Sequence, residues 1–389
     1  MNQSIVRPIK YISYFDFQDA NVKRGFVTSA TNKIESICDI LNSVGYSVDI
    51  ISMSAVTEPK FRFYKGSKKE RHKGLALKLF PSWGGSNIIL RSARLLWHLM
   101  AMFTYLLTHT KKDDVVIVYH SQGYFDVVRW AKKIRRFKMI LEVEEIYDDV
   151  GKPKLKAMTG TEKRMIEDAD AFIFPTEMLN DKVNKGSLPS VIIYGSYRTE
   201  PIITEKFDDG KIHVVYAGTF DPRKGGATAA ISAALFLPEK YHIHICGFGN
   251  EMDTEFIKAQ ISQVSKVTKT KITFEGLKTG NDYVKFIQKC HIGLSTQDPT
   301  AAFNATSFPS KILSYMANGL AVVSIDIPTV SSAKIASYLN FYKEQTPENI
   351  AKAILEAKLD NDNQAVVTKL ANQFKSDLSN LVRQVQNIK

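Results

Sequence analysis

Cysteine, long apolar runs and any acidic excess are all scarce in this chain, and each scarcity excludes something. Cys38, Cys246 and Cys290 stand far apart with no CxxC pair. An odd, scattered set of this kind excludes a disulfide framework and a cysteine zinc site, and it fits a reducing compartment. The longest nearly apolar stretch, Leu95–Leu107, has 13 residues and contains His98. A bilayer crossing needs about 20. The first 22 residues lack a basic segment followed by an apolar core, so no signal peptide is expected. What remains is a chain of 389 residues, 44% hydrophobic and 24% charged, the balance of a globular protein long enough for two domains.

The net charge of +12 is uneven. Residues 1–200 hold 31 basic and 22 acidic residues, and the remainder holds 21 and 18. Lys60, Arg62, Lys65, Lys68, Lys69, Arg71, Lys73 and Lys78 share one stretch with a single acid, Glu70, and six more basic residues lie between Arg129 and Lys138. The first cluster reads either as a solvated, mobile loop or as a seat for anionic lipid headgroups. No nucleic-acid-reading motif surrounds it, so nucleic acid is not an expected partner.

Strand-like runs alternate with helical patterns twice along the chain. Runs at 9–15, 46–52, 115–120, 138–144, 171–175 and 190–195 make the first series, and runs at 212–218, 241–247, 272–276, 292–295 and 320–325 make the second. Such alternation predicts an α/β protein with two Rossmann-like, doubly wound domains. We place them at residues 1–198 and 199–372, followed by a C-terminal helix, 373–389, packing back on the first domain. Ligands in this architecture bind beyond the carboxyl ends of the strands, here in a cleft that the two domains face.

Two turns of the second series suit an anion. AGTFDPRKGG (217–226) ends a strand in glycine and then offers Arg223, Lys224 and paired glycines, so a phosphate can approach the backbone and meet two cations. SFPSKILSYMANG (307–319) predicts a short helix burying Ile312, Leu313, Tyr315 and Met316, with Pro309 in its first turn and Gly319 past its end. Thr306, Ser307, Ser310 and Lys311 cluster at its front, where free N–H groups attract negative charge. By contrast CGFGN (246–250) has only G-x-G, a poor dinucleotide fingerprint.

Together with DADAFIFPTEMLND (168–181), VIIYG (191–195), HIHICGFGN, ITFEGL and HIGLSTQ, in this order, these turns resemble the retaining GT-B glycosyltransferases that use nucleotide-diphosphate sugars. The resemblance spans almost the whole chain. It implies a hexosyltransferase-type enzyme moving a sugar, from a UDP-sugar by preference, to a glycan or lipid-linked glycan with retention, in cell-surface polysaccharide or glycoconjugate synthesis. It implies Lys224 and Arg223 on the donor diphosphate, with Gly218, Thr219, Gly247, Ser307, Ser310 and Lys311 around it. Gly276 and Leu277 are placed by the base, and Gly25 in an acceptor-side glycine loop. The chain departs from the pattern at three positions. Thr306 and Ser314 stand where two glutamates are usual, and Thr219 stands for an arginine. A nucleotide-sugar epimerase of the same fold and a non-catalytic nucleotide-sugar or glycan-binding protein are the alternatives.

In the first half, His120 ends a strand and is, with Lys224, a candidate catalytic residue; it also reads as an acceptor or donor-sugar contact, or as a structural strand-end histidine. Glu142, Glu144 and Glu145 follow another strand end. Alternation buries Val143 and turns Glu142 and Glu144 the other way, into either a polar pocket able to accept sugar hydroxyls or an acidic surface turn beside the basic helix at 129–138. Asp168-Ala-Asp170 imitates a metal-binding DxD but reads as a helix-to-strand junction, and Asp360-Asn-Asp362 lacks the glycine and glutamate of a calcium loop. No metal or other cofactor is expected for transfer. The expected location is the cytoplasm, with peripheral contact at the inner membrane face through the basic stretch and the apolar run that follows it.

Overall fold

The computed structural model describes residues 8–17, 22–26, 28–147, 160–221, 225–360 and 362–388. The chain divides into two units, and each is described by itself. The first comprises Met1–Pro175, Leu179–Ile193 and Gln373–Lys389; the second comprises Thr176–Met178 and Tyr194–Asn372.

The first unit is built on β1 (Ile9–Ser13), β2 (Val48–Ser52), β3 (Phe63–Tyr64), β4 (Ser67–His72), β5 (Leu75–Leu79), β6 (Ser82–Trp83), β7 (Val115–Tyr119), β8 (Lys138–Glu142), β9 (Ala171–Phe174) and β10 (Ser190–Ile192). Eight of them form one sheet in the order β10-β9-β8-β7-β1-β2-β5-β4, parallel except for β4. Helices α1 (Thr28–Ser43), α2 (Ile88–His109), α3 (Phe125–Arg135), α4 (Thr161–Glu167) and α5 (Glu177–Val183) connect them. Strand order runs outward in both directions from β1 and β7, which makes their boundary the switch point where a doubly wound sheet opens a crevice.

The basic stretch at 60–78 is not the loop that its composition suggests. It folds into the β4–β5 hairpin, with Lys69 opposite Leu77 and Lys68 opposite Lys78. Strand β5 alternates LALKL and buries Leu75, Leu77 and Leu79, whereas β4 (SKKERH) is an exposed edge with no apolar alternation to read. Charge on such an edge discourages pairing with another chain. Helix α2 buries Arg94, His98, Met102 and Leu106, while Ile88, Ile89, Leu95, Leu96 and Met100 stay exposed.

The second unit holds β11 (Ile212–Thr219), β12 (Tyr241–Phe248), β13 (Lys271–Gly276), β14 (Ile292–Ser295), β15 (Ala321–Ile325) and β16 (Asn340–Tyr342). All are parallel, in the order β13-β12-β11-β14-β15-β16. Helices α6 (Gly226–Ser232), α7 (Glu251–Ser265), α8 (Gly280–Lys289), α9 (Ser310–Ala317), α10 (Pro328–Ser331) and α11 (Pro347–Leu355) belong to it. Helix α12 (Asn363–Gln386) begins in the second unit and ends in the first. Here the switch point lies between β11 and β14. The predicted helix after Ser307 is α9. Ile312, Leu313, Tyr315 and Met316 are buried, and Gly319 takes φ +75° beyond its end. Pro309 is its extended N-cap rather than a first-turn residue, so the helix begins at Ser310.

Candidate functional site

Both anion-binding turns read from the sequence meet at the switch point of the second unit. Gly218 and Thr219 end β11, and α9 follows the connection from β14. The Lys311 ammonium lies 4.2 Å from the centre of the Tyr216 ring. A Cβ on Gly218 would come within 3.2 Å of that nitrogen, so the strand end and the helix front are in contact. Gly226 is held by Tyr216 in the same way, and Thr296 Oγ1 donates to its carbonyl at 2.7 Å. Gly225, at φ +60°, is the left-handed N-cap of α6. Gly247, at φ +149°, brings the ends of β11 and β12 together so closely that a Cβ would sit 1.8 Å from the Gly218 carbonyl oxygen. No other residue type fits there.

The hydroxyls expected around this turn are placed as follows. Ser307 is half-buried and Ser310 is exposed at the start of α9. Thr306 is buried; its carbonyl accepts from Thr176 Oγ1 at 3.0 Å, while its own Oγ1 makes no hydrogen bond to any described residue. Ser314 is 3.0 Å from the Tyr283 hydroxyl, and burial raises the pKa of Tyr283 to about 12. Gly276 takes φ +65° and Leu277 is 60% exposed beside it. Arg223 and Lys224 lie outside the described residues. Tyr283 and Tyr216 were not singled out in the sequence, since each falls in an ordinary amphipathic pattern and shows its place only in three dimensions.

At the switch point of the first unit the polar groups are ionisable and buried. His120, after β7, is 1% exposed and stacks on Tyr147, with ring centres 4.6 Å apart. Its Nε2 lies 3.3 Å from Glu162 Oε1, but neither ring nitrogen has hydrogen-bond geometry to any described atom. Ser13 Oγ, at the end of β1, and Gln122 Nε2 are likewise buried without a partner. Buried polar atoms are normally satisfied, so this concentration marks a place for a polar ligand or ordered water.

The acidic residues correct the sequence reading. Val143 is buried as expected, but Glu142 is buried as well, at 0% exposure. It accepts a hydrogen bond from Tyr11 and lies 3.5 Å from Lys33 Nζ. Lys33, on α1, also bonds Glu144. Burial drives the pKa of Glu142 up to about 8, against the Lys33 charge and with that of Glu144. A run of acids after a strand cannot reveal a lysine that arrives from a helix a hundred residues earlier. Glu144 and Glu145 are half-buried and stay accessible. Gly25 is exposed in a loop before α1, where its N–H donates to the Ala55 carbonyl at 3.0 Å and Arg24 bridges to Val56.

The aspartates of the metal lookalikes make contacts within the chain. Asp168 takes Arg129 at 2.5 Å, and Asp170 takes Lys132 at 2.8 Å and accepts the Met139 N–H. Asp362 accepts the Ala365 N–H at the front of α12. All three cysteines are free and buried.

Residues 211–360 match the family model described as glycosyl transferases group 1. No curated protein matches the chain. Among solved structures, an E. coli structure described as trehalose-6-phosphate bound with UDP-2-fluoro glucose has a TM-score of 0.65 at 11% identity, over 98% of this chain and 100% of that one. A UDP-forming α,α-trehalose-phosphate synthase from Burkholderia xenovorans gives 0.63 at 10%, over 99% and 100%. The latter type of enzyme from the same organism, in complex with glucose-6-phosphate, gives 0.60 at 10%, over 97% and 100%. At these identities the likeness is one of fold.

Proposed function

We propose that this chain, a glycosyltransferase with the GT-B fold of two doubly wound units, transfers a sugar from a UDP-sugar to a glycan or lipid-linked glycan with retention of configuration. The observation that carries the reading is the meeting of Gly218, Gly226 and Lys311 around Tyr216 at the switch point of the second unit. The donor diphosphate sits against these glycines and the front of α9, and the sequence pattern assigns Lys224 and Arg223 to it. Charge grows on the diphosphate as the glycosidic bond breaks, and a preplaced donor there is worth roughly 3 kcal/mol of barrier. Thr306 Oγ1, buried and without a partner among the described residues, takes a sugar or phosphate oxygen in place of the usual carboxylate. In the first unit, His120, Gln122 and Ser13 supply unpaired polar atoms for a hydroxylated acceptor. Because both aspartates of the DxD lookalike are held in ion pairs, transfer is read as metal-independent.

The melting temperature in UDP, GDP, ADP and buffer tests the donor. Ligand at a hundred times its dissociation constant adds about 2.7 kcal/mol, a shift of several degrees for domains of this size. A shift confined to UDP is expected; equal melting in all four would remove the donor assignment.

The acceptor reading includes an anionic membrane surface and a role in cell-surface polysaccharide synthesis. No helix among the described residues is long and apolar enough to cross a bilayer. Contact at the surface is supported by exposed Phe61, Phe63, Ile88, Ile89, Leu96 and Met100. Phe63 pairs with Trp83, whose Nε1 donates to the Leu90 carbonyl, so the ribbon and the start of α2 form one apolar face. The exposed β4 edge adds basic side chains at about 1 kcal/mol each near anionic lipid. Reversing Lys60, Lys65, Lys69 and Lys73 to glutamate is expected to release the protein from phosphatidylserine vesicles. Unchanged binding would discard the membrane.

A further inference from the structure

The geometry points to a metal site at the base of the second unit's sheet, in which His213, His242 and His244 bind one divalent ion of the zinc class. Strand β11 places His213 opposite His242 on β12, and alternation along YHIHICG puts His244 on the same face. All three are buried, and one nitrogen of each lies within 4.8 Å of the other two.

The outer nitrogens are already committed. His213 Nε2 is 2.9 Å from Asp209 Oδ1, His244 Nδ1 is 2.8 Å from Glu275 Oε1, and His242 Nε2 is 2.8 Å from Thr273 Oγ1. Ionised carboxylates only accept, so both rings that face them carry their proton on that side. His213 Nδ1 and His244 Nε2 are then lone pairs, and they point at each other across 2.8 Å. Asp209, His213, His244 and Glu275 make three successive contacts, yet two neutral imidazoles supply only two protons. A cation must fill the third contact. A metal ion does so once the rings part by about half an ångström, because Zn–N bonds of about 2.0–2.1 Å set tetrahedral nitrogens somewhat farther apart. Imidazole ligands whose second nitrogen donates to a carboxylate are the usual zinc arrangement, and they orient the ring as seen here.

His291 is not a ligand through Nδ1, which accepts the His213 N–H at 3.0 Å. Asp209 is held on the outer nitrogen of His213, so water completes the shell. Phe207 covers the cluster, its ring 4.2 Å from His213. From His213 to Thr219 the strand runs about 20 Å to its other end. The ion therefore ties β11 to β12 and, through Glu275 and Thr273, to β13, without touching the donor turn.

The test strips the full chain with chelator, then adds ZnCl2 or CoCl2. It reads metal per chain, melting temperature and the visible Co2+ spectrum. One ion per chain, melting raised by several degrees and the intense bands of tetrahedral Co2+ with nitrogen ligands are expected. His213→Asn and His242→Asn should each lose the ion, while His72→Ala, on the surface, should keep it. Less than a tenth of an ion per chain, which would leave only a shared proton between the rings, overturns the site. An ion that persists in both variants does the same. Should the variants fail to fold, the Co2+ spectrum of the parent chain decides alone. The melting shift with UDP is read on the same samples, and its presence or absence bears on the donor site only.

Discussion

The two switch points are built from opposite materials. In the second unit the crevice is made of backbone: Gly218, Gly226 and Gly247 let strand ends and helix fronts close up where a side chain would crowd its neighbours, and Gly225 takes a left-handed turn. In the first unit it is made of buried titratable side chains, with His120 against Tyr147 and Glu162, and Glu142 held by Tyr11 and Lys33. A diphosphate is the same in every nucleotide donor, and a fixed cradle of amides suits it. An acceptor presents hydroxyls whose arrangement varies, and side chains with donors and acceptors suit that. Removing a side chain proposed to touch substrate should therefore cost turnover in either unit, whereas removing the buried carboxyl of Glu142 in the first should change stability and its pH dependence.

The largest expected effect is on turnover. If Lys224 holds the donor diphosphate as proposed, Lys224→Ala should lower kcat by 100- to 1,000-fold, about 3–4 kcal/mol. The melting temperature without ligand should stay within a degree, and the UDP shift should shrink. Parent-like turnover would take Lys224 out of the mechanism and leave the cradle to Lys311 and backbone alone. His120→Asn is expected to act less strongly, by 10- to 100-fold in kcat/KM, because it removes hydrogen-bonding capacity rather than a full charge. Tyr147 and the surrounding core should hold the fold. A loss of stability with turnover intact would reduce His120 to a strand-end packing group.

The legibility of the two units differed for the same reason. Glycines, a proline and a helix-period apolar face are local signals, so α9, the β11 turn and the alternation of strands and helices could be read in order. Networks between distant residues could not. Lys33 reaches Glu142 and Glu144 from α1, Tyr147 covers His120 from beyond β8, and Asp209 reaches His213 across the start of a strand. Composition also misled where charge masked structure. The run SKKERH has no apolar residue to alternate, and only its pairing with LALKL makes it a strand.

The comparison sharpens most finely in the pH dependence of stability. Glu142 keeps its proton in the folded chain up to about pH 8, whereas an unfolded chain releases it near 4.5. Between those values the folded state binds the extra proton, so stability falls as pH rises and levels off above the folded pKa. Each pH unit in the window is worth at most about 1.4 kcal/mol. Glu142→Gln removes the titration while keeping an oxygen for the Tyr11 hydroxyl. Urea unfolding of both proteins from pH 5 to 8 isolates the group, because every other titration is common to them. The difference in stability, parent minus variant, should decline steadily across the range. A flat difference would mean that Lys33 holds Glu142 ionised throughout. The first unit's crevice would then rest on a fixed ion pair, closer in kind to the permanent cradle of the second.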